Sequence, residues 1–200
     1  MQRFSSLTAV AAPFAQKNVD TDFIIRIERC TGTPKDEIGK YAFETARFLP
    51  DGADNPAFVL NQPRYRGAQI LVCGEFFGTG SSREMAVWAL AGMGIRCLIA
   101  PSYGQIFYGN CFQNGLLPIV LSSSVVEDLM KKSSAIDARP FTVNLENQTI
   151  NGTIPFEVSP RRKKMLLEGL DELGLTLALE PKIATFESAD RARRPWVYPI

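Results

Sequence analysis

Apolar residues fall in short runs separated by turn residues, and the runs differ in kind along the chain. Residues 68–73 (AQILVC), 97–100 (CLIA) and 116–121 (LLPIVL) are near-continuous apolar stretches, the pattern of strands buried on both faces. Residues 4–11 give a further strand. Residues 141–145 and 149–150 flank Glu146-Asn147-Gln148 and predict a hairpin, and residues 154–158 predict one more strand. Between the buried runs the spacing turns helical: over 83–90, with Met85, Trp88 and Ala89 on one face, and over 103–114, with Ile106, Phe107 and Phe112 inward and Gly115 as the stop. Helices are also predicted over 124–132, over 161–173 between Pro160 and Gly174, and over 181–194 before Pro195. Strand–helix–strand succession implies right-handed parallel crossovers. The fold class expected is α/β, a parallel core with hairpin additions in three layers, as a single domain over 1–200. Residues 26–53 hold Gly32, Pro34 and Gly39 and read as a surface excursion with a helix over 38–49; residues 55–65 read as loop with an extended piece at 58–60.

One stretch carries more chemistry than the rest. Residues 74–90 read GEFFGTGSSREMAVWAL: a buried strand delivers the chain to a glycine turn, and the turn opens a helix. The free N–H groups and positive dipole end of such a helix attract anions. Arg83 stands at that end and can hold a carboxylate through two parallel hydrogen bonds. This is the pattern of a site for an acidic small molecule. A second reading fits the same spacing: Ser81 or Ser82 as an N-cap, with Glu84 three positions after Ser81 completing a capping box. A P-loop is excluded because no Gly-Lys-Ser/Thr follows the glycines. The dinucleotide fingerprint fails where its third glycine is Arg83, and the G-x-S-x-G elbow is absent. Upstream, Asp20-Thr21-Asp22 sits at an apolar boundary. It reads either as an Asx-turn or helix cap, or as a carboxylate that orients a cation such as Arg83.

Composition narrows the chemistry. The 200 residues contain no histidine, so no Ser-His-Asp triad and no histidine metal site can be built from this chain. A serine that takes a proton must have its alkoxide stabilised by helix-end N–H groups and a nearby cation. The four cysteines, Cys30, Cys73, Cys97 and Cys111, share no C-x-x-C spacing, which points to reduced thiols in a cytoplasmic protein with no bound metal. A net charge of +1 gives no support to nucleic-acid or membrane-surface binding. The basic run 161–164 (RRKK) reads as the solvated start of a helix. No run is long and apolar enough to span a bilayer. Residues 7–15 have some look of a signal sequence but are short, hold Pro13 and follow little charge.

Several motifs occurring in order carry a resemblance: NVDTDFII at 18–25, VLNQPRYRGAQILV at 59–72, GTGSSRE at 78–84 with Trp88-Ala89-Leu90 after it, IFYGNCFQNGLLPIVL at 106–121, LDELGLTL at 170–177, and ARRPW before the end. Together they resemble the 3-isopropylmalate dehydratase small-subunit family, the separate-chain form of the swivel domain of aconitase-like hydro-lyases, over nearly the whole chain. The resemblance implies a three-layer β/β/α swivel domain with a partly parallel core sheet. It implies a hydro-lyase subunit that dehydrates and rehydrates a small 2-hydroxy dicarboxylate, with leucine biosynthesis as the setting. The alternatives are another substituted malate or a tricarboxylate, or a non-catalytic anion-binding paralogue. It also implies a large-subunit partner holding a 4Fe–4S cluster, with none on this chain. In that family's pattern Ser81 matches the catalytic base, Ser82 and Arg83 match groups that hold a substrate carboxylate, and Asp22 matches a residue that supports an arginine. Thr79 and Gly80 of the turn and Arg26 after the DTD motif join the expected substrate site. The chain departs from the family where Thr79 replaces Cys, Met85 replaces His, Val87 replaces Pro, and Arg26-Ile27 replaces Pro-Lys. Met85, one turn into the helix, reads more readily as core than as contact.

Overall fold

A computed structural model describes residues 1–81 and 83–198; Ser82, Pro199 and Ile200 lie outside the described residues. The strands are β1 (Ser6–Ala9), β2 (Ala11–Phe14), β3 (Ile70–Cys73), β4 (Cys97–Ala100), β5 (Leu117–Val120), β6 (Phe141–Asn144), β7 (Thr149–Ile150) and β8 (Ile154–Pro155). The helices are α1 (Thr21–Ile24), α2 (Ile27–Cys30), α3 (Glu44–Arg47), α4 (Glu84–Gly92), α5 (Gln105–Gln113), α6 (Ser123–Ser134), α7 (Pro160–Glu168), α8 (Glu172–Leu177) and α9 (Glu180–Arg193).

Strands β2-β3-β4-β5 form a parallel sheet in chain order, with Ile70 opposite Cys97 and Cys97 opposite Leu117. Strands β1-β6-β7-β8 form an antiparallel sheet. The parallel strands are buried on both faces, and their side chains divide strictly by parity, as strand geometry requires. Ile70, Val72, Cys97, Ile99, Leu117 and Ile119 point into a core shared with Phe141, Val143 and Ile150 of the antiparallel sheet and with Val126 and Leu129 of α6. Leu71, Cys73, Leu98 and Ala100 point the other way, into a core with α1, α4 and a cluster of phenylalanines. The layers are thus antiparallel sheet, parallel sheet and helices, the expected β/β/α order. Phe14 stands at the centre of the aromatic cluster, its ring centroid 5.1 Å from Phe43 and 6.1 Å from both Phe58 and Phe77.

Several local expectations are corrected. The single strand expected over 4–11 is the first of two: the chain leaves the antiparallel sheet at Val10 and continues as β2, the edge of the parallel sheet. That edge position tolerates Pro13, which has no N–H to donate. The helix expected over 38–49 is a 3-10 turn at Ile38–Tyr41 and then α3, divided at Phe43, whose φ is 55°. The surface excursion also contributes to the core, since Ile38, Ala42 and Phe43 are buried. Residues 58–60 turn rather than extend, with a 3-10 helix at Val59–Asn61. The helix over 161–173 is two, α7 and α8, parted by Gly169 in the left-handed region at φ 73°. On α4 the buried face is Ala86, Val87, Ala89 and Leu90, with Met85 and Trp88 half-buried at its margin. A backbone contact explains the smallness of one neighbour: a Cβ on Gly39 would come within 2.3 Å of the Gly92 carbonyl carbon. Ile106 on α5 is exposed, while Phe107 and Phe112 are buried as expected.

Candidate active site at the glycine turn

Three loops meet beyond the carboxyl ends of neighbouring parallel strands: residues 15–22 after β2, 74–83 after β3 and 101–104 after β4. This is where open α/β sheets place ligands, because parallel strands send all their outgoing loops to one edge. The middle loop is the glycine turn, and backbone hydrogen bonds lace it on both sides. On one side Gly78 N–H donates to the Val19 carbonyl at 2.7 Å, and Thr21 N–H donates to the Thr79 carbonyl at 3.0 Å. On the other, Phe77 N–H donates to the Ser102 carbonyl at 3.1 Å and Gly104 N–H to the Phe77 carbonyl at 3.0 Å. Gly78 has φ 72°, and a Cβ there would fall 2.2 Å from the Phe107 ring. Only glycine fits both that conformation and that contact.

The two acids of the DTD motif divide the two readings between them. Asp20 is a helix cap: its carboxylate accepts from the Phe23 N–H at 2.7 Å and starts α1. Asp22 is paired with Arg83 through two hydrogen bonds, one from Nη2 to Oδ2 at 2.9 Å and one from Nη1 to Oδ1. Those hydrogen bonds hold the Asp22 carboxyl below its ordinary range and push the Arg83 guanidinium higher still. The Arg83 side chain is only 15% exposed and Asp22 54%, so the guanidinium is set into the surface with its partner on the rim. Of the five N–H donors of Arg83, the pair with Asp22 uses two, which leaves the others to reach a second carboxylate. Thr21, between the two acids and buried, donates from Oγ1 to the Ser81 carbonyl at 2.8 Å.

Ser81 is therefore pinned by its backbone while its side chain is exposed. Ser82 lies outside the described residues. The N-cap of α4 is Arg83, in extended backbone and with no side-chain cap. The alternative reading, a capping box from Ser81 to Glu84, is not the arrangement found, since the N-cap is Arg83 and Glu84 Oε1 accepts from Asn114 Nδ2 at 2.7 Å. The first turn of this nine-residue helix, which the Arg83 side chain does not cap, lies beside the Arg83 guanidinium, and both favour an anion at the same place. Thr79 contributes both its backbone groups to the lacing, and Gly80, at φ 83°, turns the chain outward.

Arg26 is placed differently. It precedes α2 and its guanidinium donates to Glu28 at 3.0 Å, with both partners about half exposed. It lines an open groove with Glu44, Phe48 and Leu49. Arg29 pairs with Glu44 through two hydrogen bonds and lies 4.3 Å from the Tyr41 ring.

Cys73, Cys97 and Cys111 are fully buried, and burial pushes their thiols well above the usual range, which keeps them protonated and poor metal ligands. Among the described residues no group of three or more Cys, Asp or Glu is disposed to hold a metal ion. Among them, too, no helix is long and apolar enough to cross a membrane.

Two contributors lie beyond sequence reasoning. In the sequence Thr21 and Asn114 stand only within the motifs at 18–25 and 106–121, with nothing to say what their side chains touch. A threonine in that setting carries one signal, its ability to donate a short-range hydrogen bond across a turn.

Comparison with known proteins identifies the family. Residues 1–124 match the family model for the aconitase C-terminal domain, and residues 173–200 match that for the C-terminal domain of the 3-isopropylmalate dehydratase small subunit. The chain is similar to 3-isopropylmalate dehydratase small subunits from Dinoroseobacter shibae, at 49% identity, and Parvibaculum lavamentivorans, at 50%. Each alignment covers 98% of this chain and 100% of the relative. Its structure resembles the crystal structure of 3-isopropylmalate dehydratase from Methanocaldococcus jannaschii, with a TM-score of 0.63 and 26% identity over 91% of this chain and 99% of that one.

Proposed function

Because the chain belongs to the 3-isopropylmalate dehydratase small-subunit family, we propose that it is the swivel-domain half of a hydro-lyase that moves the hydroxyl of isopropylmalate by dehydration and rehydration. The observation that carries this reading is the full-length likeness to small subunits at 49–50% identity, joined to a carboxylate-gripping pair at an open helix end. Leucine biosynthesis in the cytoplasm is the setting that follows from it.

In this reading Arg83 binds one substrate carboxylate with the N–H groups that Asp22 leaves free, and Asp22 keeps the guanidinium aimed. Ser81 takes the proton from the substrate carbon and returns it on the other side of the reaction, acting as general base and acid. The chain has no histidine to take the hydroxyl proton, so Ser81 acts from its alkoxide, that proton having gone to solvent; Arg83 and the first-turn N–H groups of α4 hold the negative charge, which the substrate proton then neutralises. Thr21 fixes the Ser81 backbone so that this oxygen stays at the helix end. Ser82 joins the carboxylate grip, and Thr79 and Gly80 shape the turn against the substrate. Arg26 belongs to the rim: its charge is already met by Glu28, and it serves a second carboxylate only by exchanging that partner.

The described residues do not fit an iron–sulphur cluster, since no three or more of their Cys, Asp and Glu side chains are grouped to hold one and Cys73, Cys97 and Cys111 are enclosed in the core. A 4Fe–4S cluster held by the large subunit would supply Lewis-acid chemistry that this chain's own residues lack. The large subunit meets this chain across the glycine turn and the residue 26–53 excursion, which closes the site against water. The test is reconstitution. The chain, mixed with a cluster-loaded large subunit, turns over isopropylmalate, and the purified chain alone does not. Turnover by the isolated chain, or none by the complex on any of a panel of malates, overturns the proposal.

A further inference from the structure

Asn114 closes α5, and its side-chain amide has all four of its hydrogen-bonding positions occupied. Nδ2 donates to Glu84 Oε1 at 2.7 Å and to the Asn110 carbonyl at 3.0 Å. Oδ1 accepts from Trp88 Nε1 at 2.9 Å and from Lys35 Nζ at 3.1 Å. The Lys35 ammonium also lies 4.6 Å from the Trp88 ring centroid. One amide thus joins three parts of the molecule: the end of α5, the first turn of α4, and the 26–53 excursion. A side-chain amide can do this, since two donors and two acceptor lone pairs are needed at one point.

The consequence for the site follows from position. Glu84 is the residue after Arg83 and the acid of the first turn of α4. A free carboxylate there would stand beside the anion seat and repel a dicarboxylate. Bound to Asn114, it is held toward α5, with the Lys35 ammonium on the same amide. We propose that Asn114 is a positioning residue: it restrains Glu84, and through it the first turn of α4 that carries Arg83, and it tethers the excursion beside that turn. The inference rests on the reading of Arg83 as the carboxylate grip.

Two measurements test it on the full chain. In the complex with the large subunit, Asn114→Asp keeps acceptors for Trp88 and Lys35 and sets a carboxylate against Glu84. The expected result is a KM for isopropylmalate raised about tenfold with kcat within about twofold, the signature of lost binding rather than lost chemistry. Glu84→Gln combined with Asn114→Asp exchanges donor and acceptor across the bond and returns KM to within about threefold of the unaltered protein. An unchanged KM in Asn114→Asp, or no recovery in the double variant, overturns the proposal. The second measurement needs no activity. Asn114→Leu loses the contact to Lys35, so trypsin cleaves after Lys35 several times faster while cleavage at Lys163 and Lys164 on α7 is unchanged. Equal acceleration at both places means general loosening and overturns the tether. If the unaltered complex turns over no isopropylmalate, the hydro-lyase reading falls, and the proteolysis still decides whether Asn114 holds the excursion.

Discussion

The two sheets are made of similar residues and do different work. In the parallel sheet β3 and β4 are buried at every position, whereas β1 alternates between exposed and half-buried, and β6 between buried and half-buried. The difference in topology matters more than the difference in burial. Parallel neighbours need a crossover, so each strand of that sheet runs out at the same edge before the chain turns back, and the loops after β2, β3 and β4 converge there. Antiparallel neighbours need only a tight turn, and the β6–β7 turn is closed by Asn144, whose side chain accepts from the Asn147 N–H at 2.8 Å. One sheet has chain to spare at a single edge, where Asp22, Ser81 and Arg83 meet. The other covers its far face and presents no comparable convergence of loops.

That division of labour can be attacked from both sides. The largest effect is expected from Ser81→Ala. In the assembled enzyme kcat should fall by about 10²–10⁴, the range for a lost general base, while substrate affinity stays within severalfold. Near-normal turnover would return Ser81 to the status of a helix-end residue. Next comes Arg83→Lys. An ammonium cannot reproduce the planar grip on Asp22 and on substrate together, so kcat/KM should drop by a factor equivalent to about 2–4 kcal/mol, seen mainly in KM. Val143→Ala works on the other sheet. Its side chain is fully buried between the sheets, and removing two methyl groups should lower unfolding free energy by about 1–3 kcal/mol in a denaturant titration with KM unchanged. A shifted KM at full stability would show that the covering sheet is not passive.

The smallest effect is a titration. Asp22 is held below its ordinary range by the hydrogen bonds from Arg83. Its contribution to stability is therefore fully present above the unfolded carboxyl value of about 3.9 and is lost as pH falls through the lower, folded value. Carboxyl NMR of the isolated chain should place the Asp22 midpoint below that unfolded value, and Arg83→Leu should move it back up. An unmoved midpoint would mean that the pair does not persist in solution.

The parallel core and the turn were legible in the sequence because each signal was local and redundant. Residues 97–100 form a short apolar run between turn signals, which favours a buried strand, and glycines at 78 and 80 before a helical pattern leave few conformations for what lies between. The DTD motif was half legible: its acids were visible as cap or cation partner, but which acid did which depended on Arg83, sixty-one residues further on. The excursion misled for a different reason. Its glycines and proline read as surface loop, yet Phe43 is drawn inward by Phe14 and Phe58, and that tertiary attraction bends the backbone to a positive φ that no local propensity signals. The second strand was hidden because the sheet change at Val10 needs no glycine and leaves no break in the apolar run. Asn114 lay inside the 106–121 motif, but its role was not legible, since its four partners come from three segments of the chain.

The sheet change at Val10 also sets an order in time. Strand β2 finds its partner β3 at residues 70–73, but β1, immediately before it, pairs with β6 at residues 141–144. As the chain leaves the ribosome the parallel sheet is complete once β5 has emerged. The first strand then waits with its edge open for the remainder, a delay of a few seconds at about 5–20 residues per second. A pairing over that sequence distance closes slowly. A nascent chain from which β5 but not β6 has emerged therefore has partners for all of the parallel sheet and none for β1.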